Sequence, residues 1–398
     1  MQTAKNTYIV IFLLLLLNPV LQAQDSIRTD VLVIGGGTGG TAAAISAART
    51  GVKTLLAEEG PWLGGMLSSA GVSATDGNDK LPSGIWQEFR SALELAYGGK
   101  DGLATSWVSN TAFEPHVADS IFKAWAAKEA ALTVRYGLHL RTIVSSDLDI
   151  LGAIFLDQGT GRILTVMAGQ TIDATEQGDA LRYAGVGSSV GMESGELTGE
   201  TVGVTRSNDI LQDLTWVGIL QDFGPGTDHT IPRPAGYDPS AFDGSCTDYY
   251  HDSTRKKPTN SAKAMLEYGR LPNGKYMLNW PIHGNDTYIN TVVMWPKDRM
   301  KALDSARANT RRFIYFIQHE LGFRHLGLAT NEFPSGDGLA LIPYYRESRR
   351  LAGTVRFTMR DIAEPFTRPD ALYRTGIAVG DYPIDHHHKK NPQAPQHL

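Results

Sequence analysis

The sequence predicts an α/β protein built on a parallel sheet, with a β-meander and an inserted α+β region. Three observations carry this reading. Residues 29–59, TDVLVIGGGTGGTAAAISAARTGVKTLLAEE, join an aliphatic run, a glycine-rich turn, a small-residue helix and a second, acid-ended run in one continuous unit. From Leu132 to Asp173 short apolar runs alternate with turn signals at 147–149 and 158–161, the pattern of a meander. The last of those runs, Gln170 to Asp173, leads directly into DATEQGDA.

In chain order, the first 24 residues come first, MQTAKNTYIVIFLLLLLNPVLQAQ. Lys5, the apolar stretch Tyr8 to Leu17, the break at Asn18 and Pro19, and the small residue Ala23 form the pattern of a secretory signal peptide over residues 1–23. The apolar stretch is short for a membrane span, and no cysteine follows it closely enough for lipid attachment. The expectation is export to the periplasm or outside the cell, with no membrane partner after removal of the signal.

Val31 to Ile34 is too short for a helix and suits a buried parallel strand. Gly35, Gly37 and Gly40 then fill the three positions of GxGxxG, which permit a tight turn, close approach of a diphosphate, and close packing of helix on strand. A phosphate would sit on the N-terminal amides of the helix that follows. The helix ends near Gly51, and Val52 to Ala57 forms a second strand closed by Glu58. A carboxylate at that strand end accepts the hydroxyls of an adenosine ribose and repels the extra phosphate of NADP. Glu58 and Glu59 are adjacent, and Glu58 is taken as the inward one.

Gly64, Gly65 and Met66 follow in a glycine-dense segment that allows backbone to approach a ligand. Ile85, Phe89, Leu93 and Tyr97, then Val117, Ile121 and Trp125, recur at helical spacing and predict two core-packed helices. A strand returning beside the first would bring Asp173, Ala174 and Thr175 to the ligand crevice. The domain plan is therefore a dinucleotide-binding domain over 24–185, a substrate or cap region over 186–370, and a return segment over 371–398. Within the cap region, 223–260 reads as loop and Met300 to Leu321 as a helix.

A net charge of -5 gives no electrostatic footprint for nucleic acid. Cys246 is the only cysteine, which excludes an internal disulfide framework and a redox-active dithiol.

Taken together, these segments resemble the FAD-dependent oxidoreductases of the glutathione-reductase-like flavin fold, a family often found as exported bacterial proteins. The resemblance rests on VLVIGGGTGGTAAAISAARTG with LLAEEG, on GGM at 64–66, and on TIDATEQGDALRYAGV at 171–186. FEPHVA at 113, NWPIHGND at 279, PYYRESRR at 343 and IAVGDYPID at 377 extend it. It implies a Rossmann-like FAD-binding domain, with FAD held by Gly35, Gly37, Thr38 and Gly40 at the diphosphate, by Glu58 at the ribose, and by backbone near Val144 at the adenine. It places Arg346, Arg349, Asp381 and His386 towards the flavin ring. Two departures stand out. Glu176 occupies the place where many related flavoproteins have glycine after DAT, and the chain stops at Leu398 without the family's closing GR turn and AAG helix, which predicts a missing C-terminal segment.

Flavin would supply the redox chemistry, and a two-electron oxidation then needs a base beside it. His283 and His386 are the candidates, the alternative for His283 being a structural loop residue. Arg346, Arg349 and Arg350 are candidates to clamp an anionic substrate or to stabilise reduced flavin; at helical spacing Arg346 and Arg350 would share a face, the alternative being a local pair with Glu347. Of His386 to His388 only the first and third would share a face of a strand, so no metal is expected. The function this points to is an FAD-dependent dehydrogenase or oxidase acting on a small organic or carbohydrate-derived substrate, with an unknown electron acceptor. The alternatives are a non-catalytic flavin-binding protein and an NAD-dependent dehydrogenase.

Overall fold

The computed structural model describes residues 25–76, 80–81, 84–200, 204–363, 366 and 387–388. The first half forms a six-stranded sheet from β1 (Asp25–Ile34), β2 (Thr54–Ala57), β3 (Leu132–Arg135), β4 (Leu138–Ser146), β5 (Asp149–Asp157) and β6 (Ile163–Asp173). Its order is β3-β2-β1-β6-β5-β4. The α/β class and the dinucleotide-binding unit are as the sequence predicts. β1 and β2 run parallel with Ile34 opposite Ala57, and β6 returns parallel to β1 with Asp173 opposite Ile34. Three strands thus end at one edge of the sheet, next to the glycine-rich turn.

Side-chain alternation explains why this sheet is covered on both faces. Leu32, Ile34, Leu55 and Ala57 pack with Phe155 and Val166 on one side. Val33 and Leu56 point the other way and pack with Ala44, Phe89 and Phe122 from the helices α1 (Thr38–Arg49), α2 (Gly84–Ala96) and α3 (Pro115–Ala126), and with Phe113 just before α3. Two boundaries differ from the sequence reading. β1 begins at Asp25, well before the aliphatic run, because β6 pairs with it along its whole length. Leu132 to Arg135 leaves the meander and adds parallel to the outside of β2, so the meander is β4-β5-β6 alone and its last strand is also the return strand.

After the short helix α4 (Asp179–Ala184), the chain builds a second layer. β7 (Leu214–Thr215) pairs with β11 (Asp286–Thr287), and β8 (Gly218–Asp222), β9 (Arg270–Leu271), β10 (Lys275–Leu278) and β12 (Leu326–Leu328) form a four-stranded sheet. The short helix α5 (Ala262–Tyr268) lies between β8 and β9, and turns follow β10. The long helix α6 (Pro296–His319) lays Phe313, Ile314 and Ile317 on Trp216, Ile219, Leu220 and Leu326. Pro296 suits the first helical position, where a missing N–H costs nothing.

The two layers are tied by charge at the start of α3. The Lys275 ammonium lies 2.6 Å from both Glu114 and Glu332, with all three side chains buried. His116 Nδ1 approaches Glu332 at 2.8 Å, and this contact raises the imidazole above its ordinary pKa. Tyr97 and Asn273 donate to Glu114. Glu114, His116 and Glu332 lie close enough to hold a cation, and Lys275 supplies one.

Candidate functional site

The strand ends, the glycine turn and the second layer enclose a cavity of about 530 Å³. That is within the usual size of a ligand pocket. Its floor is the turn itself. Gly35 has φ +100°, and a Cβ there would lie 2.4 Å from the Ala174 carbonyl oxygen. Gly40 stands behind the turn, where a Cβ would fall 1.9 Å from the Gly35 oxygen, so α1 can seat on β1 only without a side chain. Gly37 caps α1 with no side-chain hydrogen bond, which leaves the first amides of a twelve-residue helix without a side-chain partner.

Glu58 points inward. Its two carboxylate oxygens accept from the Gly36 amide at 2.5 Å and the Gly60 amide at 2.6 Å. Burial pushes the carboxyl up to about 7, against those two hydrogen bonds and with help from Glu176 and Glu59. Each oxygen retains a second acceptor position for a hydroxyl. Glu59 turns to the rim, where its carboxylate pairs with His139 at 2.6 Å.

The DAT segment organises itself through Asp173. Its carboxylate accepts from the Thr175 amide, the Thr175 hydroxyl and the Leu181 amide, and the Thr175 hydroxyl accepts from the Asp179 amide. Asp179 then receives Arg299 from α6 in a two-pronged pair at 2.5 and 2.6 Å, which joins the layers across the cavity. Trp62, Ser69, Trp216, Leu303, Leu341 and Tyr345 form a largely apolar wall facing the turn. Burial holds the Tyr345 phenol well above its ordinary pKa.

Of the residues singled out from sequence, Gly35, Gly37, Glu58, Gly65, Ala174 and Thr175 line the cavity. Thr38, Gly40, Gly64 and Met66 stand behind it. The Thr38 hydroxyl donates to the Gly64 oxygen at 2.7 Å, the Gly64 amide donates to the Gly36 oxygen at 2.8 Å, and Met66 packs between two cores. The GGM segment therefore straps the turn in place.

Val144 is a correction. It pairs with Gly152 far along β4, while the β4 residues at the cavity are Leu138, His139 and Leu140. At about 3.3 Å per residue Val144 lies about 13 Å beyond Leu140. Arg346 is a second correction. It does not line the cavity but is buried against Asp286 at 3.1 Å, Asn279 at 3.0 Å and the Asp213 oxygen at 2.8 Å. Arg346 and Arg350 share no helical face, because this segment is not helical; Arg350 pairs with Glu347 at 2.8 Å. His283 occupies a turn at φ +49° beside Gly244, apart from the cavity lining. Arg349 reaches the Gln177 oxygen at 2.6 Å and supports the loop from behind.

Asp381 and His386 lie outside the described residues. The neighbouring His387 sets its Nδ1 3.3 Å from Asp286. Burial raises the Asp286 carboxyl, but the Arg346 charge and the hydrogen bonds of His387 and Thr215 outweigh it, and the net shift is downward. Sequence reasoning missed Arg299, Trp216 and Tyr345. Arg299 falls one residue before the predicted helix at Met300 and in the first turn of the observed one, so no sequence signal set it apart.

The bare backbone at Gly37 and Gly65, the open first turn of α1 and the inward Glu58 fit the diphosphate and ribose of a dinucleotide. The model of the FAD dependent oxidoreductase family matches residues 30–397. Over 82 residues the chain is 45% identical to sarcosine oxidase subunit alpha of Corynebacterium sp. (strain U-96), a match covering 20% of this chain and 8% of that protein. Among solved structures, a geranylgeranyl bacteriochlorophyll reductase-like protein from Thermoplasma acidophilum aligns at TM-score 0.32 and 20% identity, over 50% of this chain and 48% of that one. The glycerol-3-phosphate dehydrogenase of Bacillus halodurans, complexed with FAD, aligns at TM-score 0.25 and 17% identity, over 37% and 34% of the two chains. By the family match along nearly its whole length, this chain belongs to the FAD-dependent oxidoreductases, and its cofactor is FAD.

Proposed function

We propose that the protein is a dehydrogenase or oxidase that passes hydride from a small organic or carbohydrate-derived substrate to FAD, and then electrons to an acceptor of unknown identity. The observation that carries this reading is the shared cavity. The dinucleotide turn lines one side of it and the second layer, through Trp216, Leu341 and Tyr345, lines the other. A cofactor held at the turn would extend towards that wall.

The residues that would hold FAD are Gly35 and Gly37 at the diphosphate, with the first amides of α1 behind them, and Glu58 at the ribose. Bound flavin supplies the two-electron chemistry. The chain's own part is to orient the cofactor, through the Thr38–Gly64 strap and the Asp173–Thr175 loop, and to keep water from the reacting face with Trp62, Trp216, Leu303 and Leu341.

Two measurements test this. The purified protein should be yellow, and anaerobic addition of a panel of sugars and hydroxy acids should bleach it with at least one donor. A protein that keeps its flavin oxidised against the whole panel would instead support a flavin that only holds structure. Gly37→Leu should purify without flavin, since the leucine side chain would enter the space against Glu176 and block approach of the diphosphate. Export belongs to the same proposal: N-terminal sequencing of the mature protein should begin close to Gln24, and an intact Met1 on membrane-retained protein would contradict it.

A further inference from the structure

Glu176 is the residue that the reading so far leaves without a task. It follows the DAT loop and lines the cavity. Its Oε1 lies 2.9 Å from the position of a Cβ on Gly37 and 2.7 Å from that of a Cβ on Gly65. The carboxyl therefore sits between the two stretches of bare backbone that border the turn. The Thr38 amide nitrogen is 3.2 Å from that same position at Gly65. Glu176 is exposed to the cavity and has no hydrogen-bond or ion-pair partner among the described residues.

Charge around it is mixed but mostly engaged. Glu58 holds two backbone amides, Glu59 holds His139, and Asp179 holds Arg299 and Arg349. Lys297, Tyr183 and Tyr345 complete the titratable lining. None of these cations bonds to Glu176. An ionised carboxylate here would face the two negative charges of a diphosphate at close range, and the like charges would repel. A neutral carboxyl in the same place has an O–H to donate.

We infer that Glu176 binds FAD as a carboxylic acid, donating one hydrogen bond to a phosphate oxygen, so that loading of FAD takes up one proton from solvent. This rests on the diphosphate lying at the Gly35–Gly37 turn. Desolvation by the protein walls around it already moves the carboxyl above its ordinary pKa, and the arriving diphosphate moves it the same way. Affinity is then greatest at low pH and falls as pH rises, by up to about tenfold per pH unit where one proton is linked. Glu58 titrates nearby and contributes its own pH dependence, which is common to any variant at Glu176.

The test is flavin retention by full-length protein, dialysed across a series from about pH 5 to about pH 9 and read by visible absorbance. Glu176→Gln keeps the shape and a donor but cannot lose a proton. Wild type should shed flavin more steeply than E176Q as pH rises, with the two profiles converging at low pH. Glu176→Ala, which has no donor, should retain less flavin than E176Q at low pH. Parallel profiles for wild type and E176Q, whatever their offset, overturn the inference. A Gly37→Leu protein that retains flavin would overturn the diphosphate placement and this inference with it; a flavin-free Gly37→Leu alongside parallel profiles would remove the inference alone.

Discussion

Glu58 makes the stability of the fold depend on pH. Its carboxyl is pushed to about 7 from an ordinary 4.5 by burial, so the folded protein holds this proton more tightly than the unfolded chain. Its contribution to stability is therefore fully present below about pH 4.5 and is lost as pH rises through about 7. Glu58→Gln removes that titration, at the cost of one of the two acceptors for the Gly36 and Gly60 amides, about 1 kcal/mol. Thermal melts of the flavin-free variant should show a flatter dependence on pH across that window than wild type. Flavin titration should show weaker binding, because an amide replaces the ribose-facing carboxylate. A variant with unaltered pH dependence of melting would show that Glu58 does not titrate in that window.

Two elements depend on contacts that tolerate little change. The first is the junction of β1 and α1, where any Cβ on Gly40 meets the Gly35 oxygen at 1.9 Å. The opposing atom is backbone and has no rotamer to change. Gly40→Ala should cost about 1–3 kcal/mol or more in urea unfolding and lower flavin content with it. The second is the start of α3, bound through Glu114 to Lys275 on β10. Lys275→Met would leave Glu114 and Glu332 facing each other without their cation. Breaking a buried pair from one side typically costs about 3–5 kcal/mol. Adding Glu332→Gln to Lys275→Met should recover part of the loss, and denaturant midpoints for the two proteins would show whether it does.

Across the whole molecule, the cavity exists because two sheets with separate cores meet at the ends of β1, β2 and β6. Arg299 and Asp179 hold that junction, 120 residues apart in the chain and bonded through both guanidinium nitrogens. Arg299→Met should loosen the wall formed by α6 and speed flavin release more than it lowers the melting temperature. The rate at which fluorescence of free flavin appears on dilution would measure this. Release at the wild-type rate would mean that other contacts close the cavity.

The chain order itself determined the dinucleotide unit. Strand, turn, helix, second strand and acid follow one another within 31 residues, so glycine spacing and the position of Glu58 set the local geometry of the turn. The DAT return was legible for the same reason, since a parallel strand beside β1 must end at the same edge. Val144 falls outside the cavity lining because the length of β4 and its bulges at Leu140/Thr142 and Val144/Ser145 are set by pairing with β5, which spacing alone does not encode. Arg346 looked like an anion clamp, yet its partners Asp213, Asn279 and Asp286 come from segments at least 60 residues away. Only the tertiary structure decided that Lys275 would neutralise Glu114 and Glu332, that Arg299 would bridge to Asp179, and that Glu176 would stand unpaired against Gly37 and Gly65. Short-range order is written in backbone geometry and periodicity, whereas the pairing of buried charges depends on which surfaces the packed cores bring together.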